Sequence, residues 1–80
     1  MHVVLYSRPG CGLCDRAREV LLAQRARTPF DLEEVDVSGD DDLERSFGMR
    51  IPVVFVDGRE RFEVEVPPAE LAALAVRDGA

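Results

Sequence analysis

The sequence predicts an α/β domain, a four-stranded mixed sheet flanked by three helices in the order β-α-β-α-β-β-α. Three observations carry that expectation. A continuous β-branched and aromatic run, "HVVLY", passes through turn residues into a helical apolar stripe and then a second strand pattern, which makes a β-α-β unit. A second continuous apolar run, "IPVVFV", meets Asp57-Gly58, a strong hairpin signal, and returns as a strictly alternating segment. Behind two prolines, "PPAELAALAV" supplies a closing helix.

Each element has its own justification. The run His2 to Tyr6 is apolar at successive positions, as expected of a strand covered on both faces. "SRPG" then breaks it with turn chemistry. From Cys11 to about Arg27 the period becomes helical, with Leu13, Ala17, Val20, Leu21 and Gln24 on one side and Arg16, Arg18, Glu19 and Arg27 largely off it. Thr28-Pro29 ends this helix, because proline lacks the N–H that would continue it. Phe30 to Val37 is the second strand. Its alternation slips at Glu33-Glu34, which a bulge or an edge position explains.

"SGDDDLERSFG" has a capping residue, acids in a first turn and Gly48 as a stop, so it reads as a short helix. Ile51 to Val56 is apolar throughout and is expected to be a central strand. "RERFEVEV" places Phe62, Val64 and Val66 inward and Arg61, Glu63 and Glu65 outward. The last helix buries Leu71, Leu74 and either Ala75 or Val76.

Composition narrows the function. Eighty residues make one domain, residues 1–80, and 46% apolar content suits a compact core rather than disorder. The net charge of −6 disfavours nucleic acid, and the ten basic residues are all arginines scattered without forming a patch. The N-terminal "MHVVLYSRPG" has neither the basic region nor the long apolar stretch of an export signal, and no run reaches the roughly 20 residues of a membrane helix. The expectation is a cytoplasmic chain that contacts neither membrane nor nucleic acid. In that compartment the two cysteines, Cys11 and Cys14, are poor candidates for a structural disulfide, and so short a loop would stabilise little.

The chemistry lies in "YSRPGCGLCDRA". Disulfide exchange needs one thiolate to attack and a second thiol to resolve the mixed disulfide. With a helix beginning at Cys11, that sulfur sits beside free backbone N–H groups and the positive end of the dipole, and both favour the thiolate. Cys14 lies one turn further in, on the same side and deeper. Cys11 is therefore the candidate nucleophile and Cys14 the resolving thiol. Gly12 carries no side chain, so the backbone of a partner can approach closely. Asp15 suits the helix start but modestly opposes a second anion nearby. His2 lies at the far end of its strand and is a poor base for Cys11. Tyr6 reads as a core or rim residue, Arg50 as a solvated arginine, and the Asp40–Asp42 run as helix capping rather than a metal site.

The order of elements, the C-x-x-C at the end of the first strand and the proline opening the third resemble the thioredoxin fold in its glutaredoxin form. "LYSRPGCGLC", "VDVSGDDDLERSFG", "RIPVVFVDG" and the terminal helix carry the likeness over nearly the whole chain. The resemblance implies a glutaredoxin-like thiol-disulfide oxidoreductase, acting through a Cys11/Cys14 dithiol-disulfide cycle on protein or glutathione mixed disulfides. It implies substrate contacts at Arg8, Gly12, Leu13, Ile51 and Pro52, with a cis Ile51–Pro52 bond and an Ile51 backbone that pairs with an extended peptide. No bound cofactor or metal is expected. Electrons would come from glutathione or a thioredoxin-reductase-type flavoenzyme, ultimately from NADPH, and the chain would act as a monomer. Two departures stand out: Gly-Leu replaces the common Pro-Tyr between the cysteines, and the Gly-Gly used for glutathione binding after the fourth strand is missing.

The residues are open to two other readings. A homodimer pooling Cys11 and Cys14 could supply the four thiolates of a metal or iron–sulfur site. The related monothiol glutaredoxins that bridge clusters carry Ser where Cys14 stands. The third reading is a redox-silent module that docks a partner through its "IPVV" surface.

Overall fold

The computed structural model describes residues 1–79. Its elements are β1 (His2–Ser7), α1 (Gly12–Arg27), β2 (Asp31–Asp36), α2 (Asp41–Phe47), β3 (Val53–Val56), β4 (Arg59–Glu63) and α3 (Pro68–Gly79). The strands form one mixed sheet in the order β2-β1-β3-β4. β1 runs parallel to β2 and antiparallel to β3, and β3 is antiparallel to β4. The expected α/β architecture is the observed one.

Register decides which side chains face which layer. Leu5 pairs with Val54 and Val3 with Val56, so these residues share a face with α1 and α3. There Val3, Leu5, Leu21, Val54 and Leu71 are fully buried and form one core with Ala17, Phe30 and Phe62. The apolar run of β1 predicts cover on both faces, but the second face is only half closed: Val4 and Tyr6 are partly exposed, and α2 has no buried residue. A helix of seven residues is too short to cover the strands beneath it.

The slip in β2 has its cause in position. β2 is an edge strand whose register with β1 runs unbroken from His2↔Asp31 to Ser7↔Asp36, so there is no bulge. Phe30 and Val37 are buried just outside its two ends, and between them Glu34 pairs in register with Leu5 yet stays exposed. The bulge lies instead in the hairpin, where the β3–β4 register shifts between Val54 and Phe55. Asp57 and Gly58 both have positive φ, +51° and +82°, as a tight hairpin turn requires.

Two expectations about inward residues are corrected, and an alternative is decided. Val64 is not an inward strand residue: β4 ends at Glu63, and Val64, at φ +68°, turns out of the core while Phe62 and Val66 stay in it. Leu13 lies off the buried stripe of α1, which is Cys14, Ala17, Leu21 and Gln24. Of the pair Ala75 and Val76, Ala75 is buried and Val76 exposed. Pro67 precedes α3, and its carbonyl accepts the Leu71 N–H. Among the described residues no helix is long and apolar enough to cross a membrane.

Candidate active site

The cysteines stand where β1 gives way to α1. After Ser7 the chain turns through Arg8, Pro9 and Gly10, whose φ of +76° is one a glycine adopts freely. Cys11 then takes an extended conformation, φ −96° and ψ 111°, and is the N-cap of α1 rather than its first helical residue. Its Sγ accepts the Cys14 N–H at 3.1 Å and its carbonyl accepts the Asp15 N–H at 3.0 Å. The sulfur thus does the work of a capping oxygen, satisfying an N–H that helix geometry leaves unpaired.

Both cysteines are free thiols, and their surroundings differ. Cys11 is half-buried, within reach of solvent, while Cys14 is fully buried in the first turn. Burial pushes the Cys14 thiol up to about 11, helped by its hydrogen bond and charge interaction with the Cys11 sulfur; the Arg8 backbone N–H and the Arg18 charge act the other way.

The other expected site residues fall at the same end of the sheet. Tyr6 pairs with Val53, which puts Ile51-Pro52 level with the Ser7–Arg8 turn. The Ile51–Pro52 bond is cis, and Pro52 is fully buried at the start of β3, an interior strand. Ile51 is half-buried, and its backbone takes part in none of the turn and loop hydrogen bonds of the described residues. The carbonyls on either side of it, Arg50 and Pro52, both accept the Val64 N–H, at 3.2 and 2.7 Å. Gly12 is exposed with open space where a Cβ would stand, and Leu13 is 52% exposed. A groove of about 200 Å³ runs from Leu13 between α1 and the β4–α3 segment, with Val20, Val64 and Val66 among its apolar walls and Arg16 and Glu65 as its charged residues. Arg8 is not free: its guanidinium is paired with Glu44 of α2.

Two arrangements escape sequence reasoning. Beside Cys14, Arg18 reaches across to β2, donating from Nε to Glu34 Oε1 at 2.7 Å and from Nη1 to Asp15 Oδ1 at 2.9 Å. The buried Ser7 hydroxyl donates to Glu34 Oε2 at 2.7 Å. This network ties the first turn of α1 to β1 and β2, and the Arg18 bond holds the Glu34 carboxyl below its usual range. Its sequence signal was the Glu33-Glu34 slip, which sets a carboxylate opposite the buried Leu5 in register. The second arrangement is Arg50, expected to be solvated. It binds Glu60 at 2.7 Å and Glu63 at 2.8 Å, donates to the Ser46 carbonyl and lies over the Phe47 ring.

A four-stranded mixed sheet with a helix N-terminus presenting two thiols opposite a cis-proline defines a thioredoxin-like fold. Residues 2–74 match the model of the Glutaredoxin-like domain (DUF836), and the chain belongs to that family. An uncharacterized protein of Mycobacterium tuberculosis is 38% identical over 77 residues, covering 90% of this chain and 79% of that one. A glutaredoxin of Vibrio cholerae is 35% identical over 65 residues, covering 71% and 75%. Among solved structures, a structural-genomics target from X. campestris superposes with a TM-score of 0.78 at 33% identity, covering 98% of this chain and 97% of that one. Thioredoxin 1 from Thermosipho africanus, at 17% identity and a TM-score of 0.71 over 98% and 93% of the two chains, shares the fold. Family and fold together support a thiol-oxidoreductase-like role at the general level.

Proposed function

We propose that this protein is a small thiol-disulfide oxidoreductase that reduces protein or glutathione mixed disulfides through Cys11 and Cys14. The observation that carries this reading is the N-cap geometry: the reachable sulfur of Cys11 accepts the N–H of Cys14, the buried second thiol. The Cys11 thiolate attacks a substrate disulfide, forming a Cys11–substrate disulfide and releasing one substrate thiolate. The Cys14 thiolate then attacks the Cys11 sulfur, forming the Cys11–Cys14 disulfide and releasing the second substrate thiolate. The substrate has gained two electrons and the protein has lost two.

The surroundings of Cys14 suit this order. Before attack, the neighbouring Cys11 sulfur opposes its ionisation by hydrogen bond and by charge. Once Cys11 is held in a mixed disulfide its charge is gone, so Cys14 ionises more readily at the moment it must attack. Gly12, Leu13 and Ile51 form the ground on which the substrate rests, with the fully buried Pro52 next to Ile51 and Arg8 paired with Glu44. Glutathione, or a thioredoxin-reductase-type flavoenzyme fed by NADPH, returns the disulfide to the dithiol, and the chain works as a cytoplasmic monomer.

The test is turnover. The wild type reduces a model disulfide when coupled to NADPH through glutathione and its reductase, or through a thioredoxin reductase, and the more active coupling names the electron donor. Cys11→Ser abolishes the reaction; full activity in that variant would refute the proposal.

A further inference from the structure

We propose that Val64 and Leu13 form an apolar seat for the residue beside the cysteine of a protein disulfide. Extended polypeptide with an apolar neighbour, rather than glutathione, would then be the preferred substrate class of the Cys11 site. This rests on the exchange reading above and deepens it.

The backbone is anomalous at Val64. Continued as a strand, the segment would bury Val64 between Phe62 and Val66. Instead Val64 sits at φ +68°, a region that β-branched residues avoid, and its side chain is 43% exposed. The bend itself has a structural use, because it aims the Val64 N–H at the Arg50 and Pro52 carbonyls and so holds the loop around Ile51. Glycine would make that bend without strain. The fold therefore explains the turn but not the valine. A strained, exposed residue whose N–H is tied to the carbonyls on either side of Ile51 is a pointer to function.

What the valine adds is a wall. Its side chain lines the groove with Leu13, itself 52% exposed and two residues from Cys11 in the same turn of α1. A chain whose cysteine lies over Cys11 and whose backbone runs along Ile51 carries its neighbouring side chain past this groove. Charge selects among occupants. The charged residues of the groove, Arg16 and Glu65, are of opposite sign, Glu63 and Glu65 flank Val64, and Arg8 is engaged by Glu44. Glutathione, with its two carboxylates, meets no surplus cation there, on a chain of net charge −6. An uncharged apolar side chain buries surface against the two exposed residues without that conflict.

Reduced protein is mixed separately with a synthetic peptide disulfide carrying Leu beside each cysteine, the same peptide with Ser in place of Leu, and glutathione disulfide. Formation of the Cys11–Cys14 disulfide is timed. The Leu peptide is expected to react about tenfold faster than either of the others, the scale of discrimination an apolar pocket gives. Leu13→Ser and Val64→Gly should each erase most of that ratio; Val64→Gly keeps a residue suited to the bend, so misfolding does not obscure the result. Equal rates for the Leu and Ser peptides, a faster reaction with glutathione disulfide, or an undiminished ratio in both variants overturns the inference alone. Failure of all three disulfides to oxidise the protein overturns the exchange reading and this inference with it.

Discussion

On one face of the sheet, α1 and α3, the latter through its buried Leu71, close over Val3, Leu5 and Val54, all fully buried; on the other, α2 rests through Phe47 on Tyr6 and Phe55 and buries no residue of its own. The first face is held by apolar packing. The second is held by aromatic contacts at centroid distances of 4.5 to 5.7 Å and by two arginines, Arg8 on Glu44 and Arg50 on Glu60 and Glu63. The cysteines follow this division, since Cys14 is anchored in the closed face by α1 while the Arg8 turn beside it is tethered to the open one. The difference teaches that the reactive pair is fixed by the better-packed layer, and that α2 opens locally at a smaller free-energy cost than α1.

The largest effect should come from breaking the closed face. Leu21→Ala removes a fully buried side chain from the core and should cost about 2–5 kcal/mol, read as a lowered urea midpoint at unchanged m-value. In a domain of 80 residues that is a large share of total stability.

Alkaline pH should weaken the same face through Cys14. Its thiol is raised from an ordinary 9.0 to about 11 by burial and by the Cys11 sulfur. Between those values the unfolded thiol has lost its proton and the folded one keeps it. The stability contributed is therefore complete below pH 9 and falls as pH rises toward 11, by on the order of 2 kcal/mol. Denaturation of the wild type and Cys14→Ala across that range checks it: the wild type should lose more.

Smaller changes belong to the open face. Phe47→Leu removes two ring contacts and the cation–π contact of Arg50, at a cost of about 1 kcal/mol in the same urea experiment. Arg8→Gln breaks an ion pair whose side chains are 37% and 42% exposed, so global stability should drop by less than about 1 kcal/mol. Its signature should be local: faster amide hydrogen exchange in α2 with α1 unchanged. If Phe47→Leu cost as much as Leu21→Ala, the contrast between the faces would collapse.

Much of this was legible in the residues, for physical reasons that can be named. β1, β3 and the Asp57-Gly58 turn are local signals, apolar runs and a dipeptide suited to positive φ, and the structure follows them. Cys11 and Cys14 could be placed at a helix start from turn chemistry and apolar period alone. Val64 could not be placed, because "RFEVEV" alternates without a break and the bend comes from the carbonyls of Arg50 and Pro52 on a distant segment. Leu13 fits the helical stripe by spacing, but it stands exposed in the first turn of α1 and lines the groove instead of the core. Glu44 on Arg8, Glu34 on Arg18, and Glu60 and Glu63 on Arg50 lie well away in sequence, and a chain with 16 acids offers too many choices to pair them from sequence.

One trapping measurement tests the proposed division of labour between the two thiols directly. Cys14→Ser, mixed with a peptide disulfide and examined by intact mass, should accumulate a long-lived adduct of one peptide on Cys11, while the wild type passes through to its internal disulfide. Cys11→Ser should form little adduct at Cys14. An adduct of equal yield and rate on Cys14 in the Cys11→Ser variant, or none in either, would contradict the account.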